Sequence, residues 1–235
     1  MIDLNGKYAL VTGGGRGIGK SIAIELAKNN ASVCITGRNA ETLKAAENEL
    51  KQYSKNSFSM VCDVRSVEQQ MSVFEKIKKC YGRLDICIPN AGEATLASAT
   101  ETSLENWKRD IDTNLTGLFI TSTEALKMMK EQKNGNIIGI VSKAGTSAFL
   151  LRAAYCASKW GARGFLKCLA IEAKNYNVKV TSLCPASVAT DFQKNNPAGM
   201  DWMMSAQEVA AAVIYILNLE DNAYIDELVL STWMK

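Results

Sequence analysis

The 235-residue chain is 47% hydrophobic and 22% charged, which excludes a disordered or fibrous protein and suffices for one α/β domain with a sizeable core. Its net charge of +3 comes with no run of Lys or Arg, so there is no electrostatic basis for nucleic-acid or anionic-membrane partners. Histidine is absent; this removes a Ser-His-Asp triad and any His-ligated metal, and no metal site is expected.

Short β-rich runs alternate with helical periodicities along the chain. KYALVT (7–12) reads as a strand, and Ile18, Ile22 and Leu26 recur at helical spacing over 17–29. SVCIT (32–36) is a second strand, followed by a helix through Leu43, Ala46 and Leu50. FSMVCDV (58–64) is a third, with MSVFEKIKKCYG as its helix, and LDICIPNAG (84–92) is a fourth strand with its exit turn. Long helical stretches over 103–131 and near 153–174 flank the strand NIIGIVS (136–142), and VKVTSLC (178–184) and AYIDELVL (223–230) are the last two strands. Apolar, β-branched strands separated by helices predict a doubly wound parallel sheet of about seven strands with helices on both faces, in one domain spanning 1–235. The opening MIDLNGKYALVTG has no basic segment followed by an apolar one, and no apolar run approaches a membrane span, so a cytoplasmic location is expected. The seven cysteines form no C-x-x-C pair and read as reduced, structural thiols.

GGGRGIGKS (13–21) satisfies two phosphate-binding patterns. From Gly14 it reads as a P-loop, G-x-x-x-x-G-K-S, with Asp63 at the end of an apolar run as its magnesium partner. From Thr12 it reads as a dinucleotide turn, in which Gly13 makes the bend, Gly17 admits the pyrophosphate and Gly19 packs the helix on the strand. Both place amide N–H groups at a helix N-terminus. The residues that decide lie downstream. Ser142 closes the fifth strand, Tyr155 follows, and Lys159 stands four residues further on the same helical face. A lysine ammonium near a phenol is expected to pull its pKa down toward neutrality, making Tyr155 a general acid or base in a chain without histidine.

Together these residues resemble the short-chain dehydrogenase/reductase family of the single-domain type, over residues 6 to about 230. The motifs are TGGGRGIG (12–19), CDV (62–64), NAG (90–92), Asn114, Ser142, YCASK (155–159) and PASVAT (185–190). Each is weak alone; their joint order and spacing are specific. The resemblance implies an oxidoreductase in which hydride passes between a nicotinamide and a carbonyl carbon. It makes Tyr155 the proton donor, with Lys159 lowering its pKa and holding the nicotinamide ribose. Ser142 bonds the substrate oxygen, and Asn114 kinks its helix and supports a water chain to the lysine. It places Gly13, Gly15, Arg16, Gly17, Ile18, Gly19, Arg38, Asp63, Val64, Asn90, Ala91, Gly92, Tyr155, Lys159, Pro185, Val188 and Thr190 at the cofactor, with Asp63 on the adenine amino group.

Three departures stand out. Pro89 replaces a usual Asn and removes an N–H, which is expected to loosen the edge of the cofactor cleft. Ala186 replaces the glycine after Pro185. The tail ELVLSTWMK lacks the Asp-Gly-Gly ending of many relatives, which bears on the homodimer or homotetramer that the family implies.

NADP is the expected cofactor. The second strand ends in TGRN, with Arg38 and no acid where NAD enzymes carry one, and Arg16 lies inside the turn. A substrate lid is expected over 189–204, where Phe192, Met200, Trp202, Met203 and Met204, facing Phe149, Leu150 and Leu151, suit a small-molecule carbonyl or secondary alcohol. The alternatives are a 3-oxoacyl (acyl-carrier-protein) reductase, a non-catalytic NADP-sensing protein on the same fold, and the P-loop phosphotransferase. Against the carrier protein as partner, the places where such reductases present basic residues hold Lys133 and Tyr176, of which only one is basic.

Overall fold

The computed structural model describes residues 2–190, 192 and 201–233. Seven strands, β1 (Tyr8–Thr12), β2 (Ser32–Gly37), β3 (Phe58–Val61), β4 (Ile86–Ile88), β5 (Gly135–Ile140), β6 (Val178–Pro185) and β7 (Glu227–Leu230), form one sheet in the order β3-β2-β1-β4-β5-β6-β7. Every pairing is parallel. The central strands are apolar on both faces because both are covered. On one face Val11, Ile35, Ile88, Ile140 and Leu183 pack with Ile22, Leu26, Leu43, Leu50, Val209 and Val213. On the other, Leu10, Ile137 and Val180 pack with Phe74, Ile77, Met129, Leu166 and Leu169. Cys34, Cys62, Cys87 and Cys184 belong to this second core as free thiols, small hydrophobes among larger ones.

Among the described residues seven α-helices connect the strands: α1 (Gly17–Lys28), α2 (Ala40–Leu50), α3 (Val67–Tyr81), α4 (Leu104–Ile111), α5 (Gly117–Gln132), α6 (Ala153–Ala173) and α7 (Ala206–Leu217). None among the described residues is long and apolar enough to cross a membrane. The stretch expected as one helix over 103–131 is two, joined by a π-helical turn at Asp112–Thr116 that carries Asn114. The third strand stops at Val61, which leaves Asp63 in the following turn, and the seventh is only Glu227–Leu230. Helix α7 was not anticipated, although Ser205 and Glu208 spell its start: the Ser205 hydroxyl accepts from the Glu208 N–H, and the Glu208 carboxylate accepts from the Ser205 N–H. It packs beside α1 on the first core. The strand order reverses between β1 and β4, so the crevice at their carboxyl ends is the binding place such a sheet provides.

Candidate active site

The glycine turn leaves β1 at this crevice. Gly13 has φ +66°, and a side chain there would reach within 3.0 Å of the Ala91 backbone and the Asn90 amide. A Cβ on Gly19 would stand 2.3 Å from the Gly13 carbonyl oxygen, so α1 can close on β1 only through a glycine. Gly17, with φ +54°, opens the N-terminus of α1, where a Cβ would meet, among the described residues, the Thr190 side chain at 3.4 Å. Gly15 lies against Thr42, Arg16 is the N-cap, and Ile18 is half-buried behind the turn. Thr12 ties the turn to the β4 exit: its hydroxyl accepts from Asn90 N–H at 3.0 Å and Ala91 N–H at 3.1 Å, and its carbonyl accepts from the Asn90 amide at 2.8 Å. The Pro89 carbonyl accepts the Ile140 N–H at 2.9 Å and joins the β4 exit to β5. Such a cradle of amides and glycines, which any side chain would fill, fits a dinucleotide pyrophosphate. Lys20 faces away from it and pairs with Glu49 of α2 at 2.7 Å, the reverse of what a P-loop lysine does.

Next to this turn the four singled-out side chains converge. Asn114 is fully buried; its amide nitrogen donates to the Glu93 carbonyl at 2.8 Å and to Ser158 Oγ at 2.9 Å, and its oxygen accepts the Glu93 N–H at 2.9 Å. Ser158 in turn donates to the Tyr155 carbonyl at 2.7 Å, fastening the first turn of α6. Gly92 is the spacer, since a Cβ there would lie 3.1 Å from the Asn114 oxygen and 3.7 Å from Lys159 Nζ. Ser142 ends β5 with its hydroxyl accepting from Ala144 N–H at 3.1 Å. Lys159 is buried, donates to the Ile140 carbonyl at 3.1 Å, and sits 5.8 Å from the centre of the Tyr155 ring. Phe192 flanks the same ring, centroids 6.1 Å apart, and the Arg152 guanidinium lies 6.0 Å from it.

The electrostatics correct the expected fall in the Tyr155 pKa. Burial pushes the phenol up, against the Ser142 hydroxyl and the Arg152 charge, which pull it down. The Lys159 nitrogen is turned to the Ile140 carbonyl, and burial drops the lysine itself from 10.5 to about 8. This has a stability consequence. Below about pH 8 the lysine is charged in both folded and unfolded chains, and the folded one carries the desolvation cost. As pH rises from about 8 to 10.5 the unfolded chain binds more protons, so stability increases and the cost disappears. Lys159→Met is therefore expected to stabilise the cofactor-free protein by roughly 1–3 kcal/mol near pH 7, after about 1 kcal/mol is subtracted for the lost hydrogen bond, with a smaller gain near pH 10. Urea melts at the two pH values check this; a less stable variant near pH 7 would contradict it.

The other end of the crevice holds the residues assigned to the adenosine. The Asp63 carboxylate is gripped by Arg65 at 2.5 Å, and this pair holds its pKa below the usual carboxylate range. Val64 is buried against Gly117, and its carbonyl accepts from Gln70. Arg38, at the β2 exit, is ion-paired with Glu93. Glu93 escaped the sequence reading; an acid directly after Asn90-Ala91-Gly92 was its only signal. Pro185 pairs with Leu230 across β6 and β7, Ala186 N–H donates to the Leu230 carbonyl at 2.9 Å, and Val188 bridges to Met204. The expected lid thus divides. Met204 is tied by backbone to Ser187 and Ala189 and packs on the first core, while Met200 lies outside the described residues. Phe149, Leu150 and Leu151 are exposed on the opposite loop. Lys133 and Tyr176 precede β5 and β6, at the amino ends of the strands, so within one chain they lie away from this crevice.

Residues 7–201 match the family described as short chain dehydrogenase. The chain is 38% identical over 192 residues to a 3-oxoacyl-[acyl-carrier-protein] reductase of Rickettsia bellii, covering 82% of this chain and 77% of that protein. It is 36% identical over 189 residues to a D-threitol dehydrogenase of Mycolicibacterium smegmatis, covering 80% and 73%. Among solved structures, an alcohol dehydrogenase from the archaeon Thermococcus sibiricus, complexed with 5-hydroxy-NADP, superposes with a TM-score of 0.89 at 27% identity over 97% of each chain. Fold, turn and family match agree: the chain belongs to the short-chain dehydrogenase/reductase family of oxidoreductases.

Proposed function

We propose that this protein is an NADP-dependent oxidoreductase that interconverts a carbonyl and a secondary alcohol, with Tyr155 as general acid and base. The observation that carries the reading is the meeting of Tyr155, Lys159, Ser142 and the Asn114 clamp beside the glycine turn at the carboxyl ends of β1, β4 and β5. The turn from Gly13 to Gly19 would hold the pyrophosphate, Lys159 the ribose of the nicotinamide, and Arg38 with Arg16 the 2′-phosphate. A nicotinamide bound there supplies hydride to the carbonyl carbon or removes it from the alcohol. Ser142 orients the substrate oxygen, and Tyr155 Oη gives that oxygen a proton in reduction and takes it back in oxidation. Asn114 acts by position, fixing Glu93, Gly92 and the first turn of α6. Further parts of the proposal are one domain for the whole chain, a homodimer or homotetramer, and a cytoplasmic location.

A second reading, a 3-oxoacyl thioester as substrate, is favoured by the Rickettsia bellii relative. The D-threitol dehydrogenase, at similar identity, favours a small polyol or its ketone equally. The test is a carbonyl panel of ketones, aldehydes and an N-acetylcysteamine 3-oxoacyl thioester, run with NADPH and with NADH. NADPH is expected to be preferred, and Arg38→Asp should flatten or reverse the preference, because a charge-assisted phosphate contact is worth about 1.5–3 kcal/mol, or about ten- to a hundred-fold. Equal kcat/KM for the two cofactors in the parent protein would refute the NADP assignment.

A further inference from the structure

Glu93 is held in an unusual way. One side chain clamps its backbone from both sides: Asn114 accepts its N–H at 2.9 Å and donates to its carbonyl at 2.8 Å. With the backbone fixed, the carboxylate projects between two arginines from different elements. One oxygen pairs with Arg38 at the β2 exit, and the other lies 3.3 Å from Arg109 Nε on α4. The Glu93 side chain is only 19% exposed, whereas that of Arg38 is 54% exposed and open to an incoming group.

We infer that Glu93 sets cofactor specificity by competing with the 2′-phosphate for Arg38, with Arg109 holding the carboxylate when Arg38 lets go. This rests on the reading of Arg38 as the arginine of the 2′-phosphate. An arginine already paired with an internal carboxylate binds an external phosphate only in the fraction of molecules where it is released, and the apparent affinity falls by that fraction. A 2′-hydroxyl has no charge to offer the guanidinium, so binding of the unphosphorylated ribose is not taxed. Glu93 therefore narrows the gap between NADP and NAD that Arg38 alone would create. Arg109 limits the effect by sharing the carboxylate, and its own anchor is independent: its Nη2 donates to Thr95 Oγ1 at 3.1 Å, while Thr95 is fixed by Asp110.

The test uses two probes without a nicotinamide, adenosine 2′,5′-bisphosphate and adenosine 5′-monophosphate, with dissociation constants from calorimetry. Glu93→Gln leaves the backbone clamp to Asn114 in place. It is expected to tighten the bisphosphate about two- to tenfold and leave the monophosphate within about 1.5-fold, the scale of a partly exposed ion pair. In an Arg38→Ala background the same substitution should have no effect. An unchanged bisphosphate affinity, a gain for both probes, or an equal gain without Arg38 would overturn the competition. Arg109→Gln gives an independent variant: with its second anchor gone, Glu93 holds Arg38 longer, and bisphosphate binding should weaken about twofold with monophosphate binding unchanged. No weakening there would also overturn it. If Arg38→Ala fails to weaken the bisphosphate, the 2′-phosphate reading falls together with the competition. If Arg38→Ala weakens it and Glu93→Gln changes nothing, only the competition falls.

Discussion

Tyr155→Phe is expected to lower kcat by about a hundred- to ten-thousand-fold while NADPH affinity stays within a few-fold, since it deletes the transferable proton, with the hydroxyl's bond to Ser142, and keeps the ring. The phenyl ring keeps its contacts with Phe192 and Arg152, and Lys159 keeps its bond to the Ile140 carbonyl. Burial holds the Tyr155 pKa above its ordinary value, so the phenol is protonated at neutral pH and ready to donate. Carbonyl reduction should accordingly be flat through neutrality and fall only at alkaline pH. Alcohol oxidation needs the phenolate and should rise with pH across the same range. Steady-state rates in both directions, with cofactor affinity from fluorescence titration, check this. A variant retaining a tenth of the parent kcat would remove Tyr155 from the proton step.

Gly17→Val is expected to weaken NADPH binding by at least about thirtyfold. At φ +54° a β-branched side chain carries left-handed strain of about 1–2 kcal/mol, and it stands over the amides at the N-terminus of α1 where the pyrophosphate must approach. Relief of the strain by shifting the turn would be no better, because the Thr12 bonds to Asn90 and Ala91 fix its other side. Lys20→Ala is the contrasting variant. Its partner is Glu49, in a pair half open to solvent worth about 1 kcal/mol at most, so NADPH affinity should change less than about fivefold. Titrations on both variants, with folding checked by circular dichroism, separate the two. Lost binding in the lysine variant beside normal binding in the glycine variant would return the turn to a P-loop.

Strands and turn were legible because local chemistry dictates them. β1, β2, β4, β5 and β6 are apolar on both faces since helices cover both, and Gly13 and Gly19 leave no room for a side chain while Gly13 and Gly17 take the positive φ that glycine favours. Ser142, Tyr155 and Lys159 were legible as a spacing, because positions i and i+4 of α6 must share a face. What depends on long-range side-chain pairing was not. The Arg38–Glu93 pair joins the exits of β2 and β4, which only the sheet order brings together, and Arg109 reaches it from α4. The direction of the Tyr155 shift was not legible for a related reason: spacing puts a lysine near the phenol, but burial raises the phenol's pKa and the Ile140 carbonyl fixes where the lysine nitrogen points. Helix α7 is readable from its capping box at Ser205 and Glu208, which follows directly on the Met-rich segment.

The most direct measurement follows a labelled hydrogen. NADPH carrying deuterium at C4 of the nicotinamide, prepared separately in each of the two stereochemical forms, is incubated with the carbonyl panel, and the alcohol product is analysed by mass spectrometry. The expected result is one deuterium on the carbinol carbon of at least one product from one of the two forms, with the hydroxyl proton coming from solvent, and no product from Tyr155→Phe on the same timescale. NADPH left unoxidised by every carbonyl, or an alcohol whose new C–H hydrogen comes from water, would contradict hydride transfer by this protein.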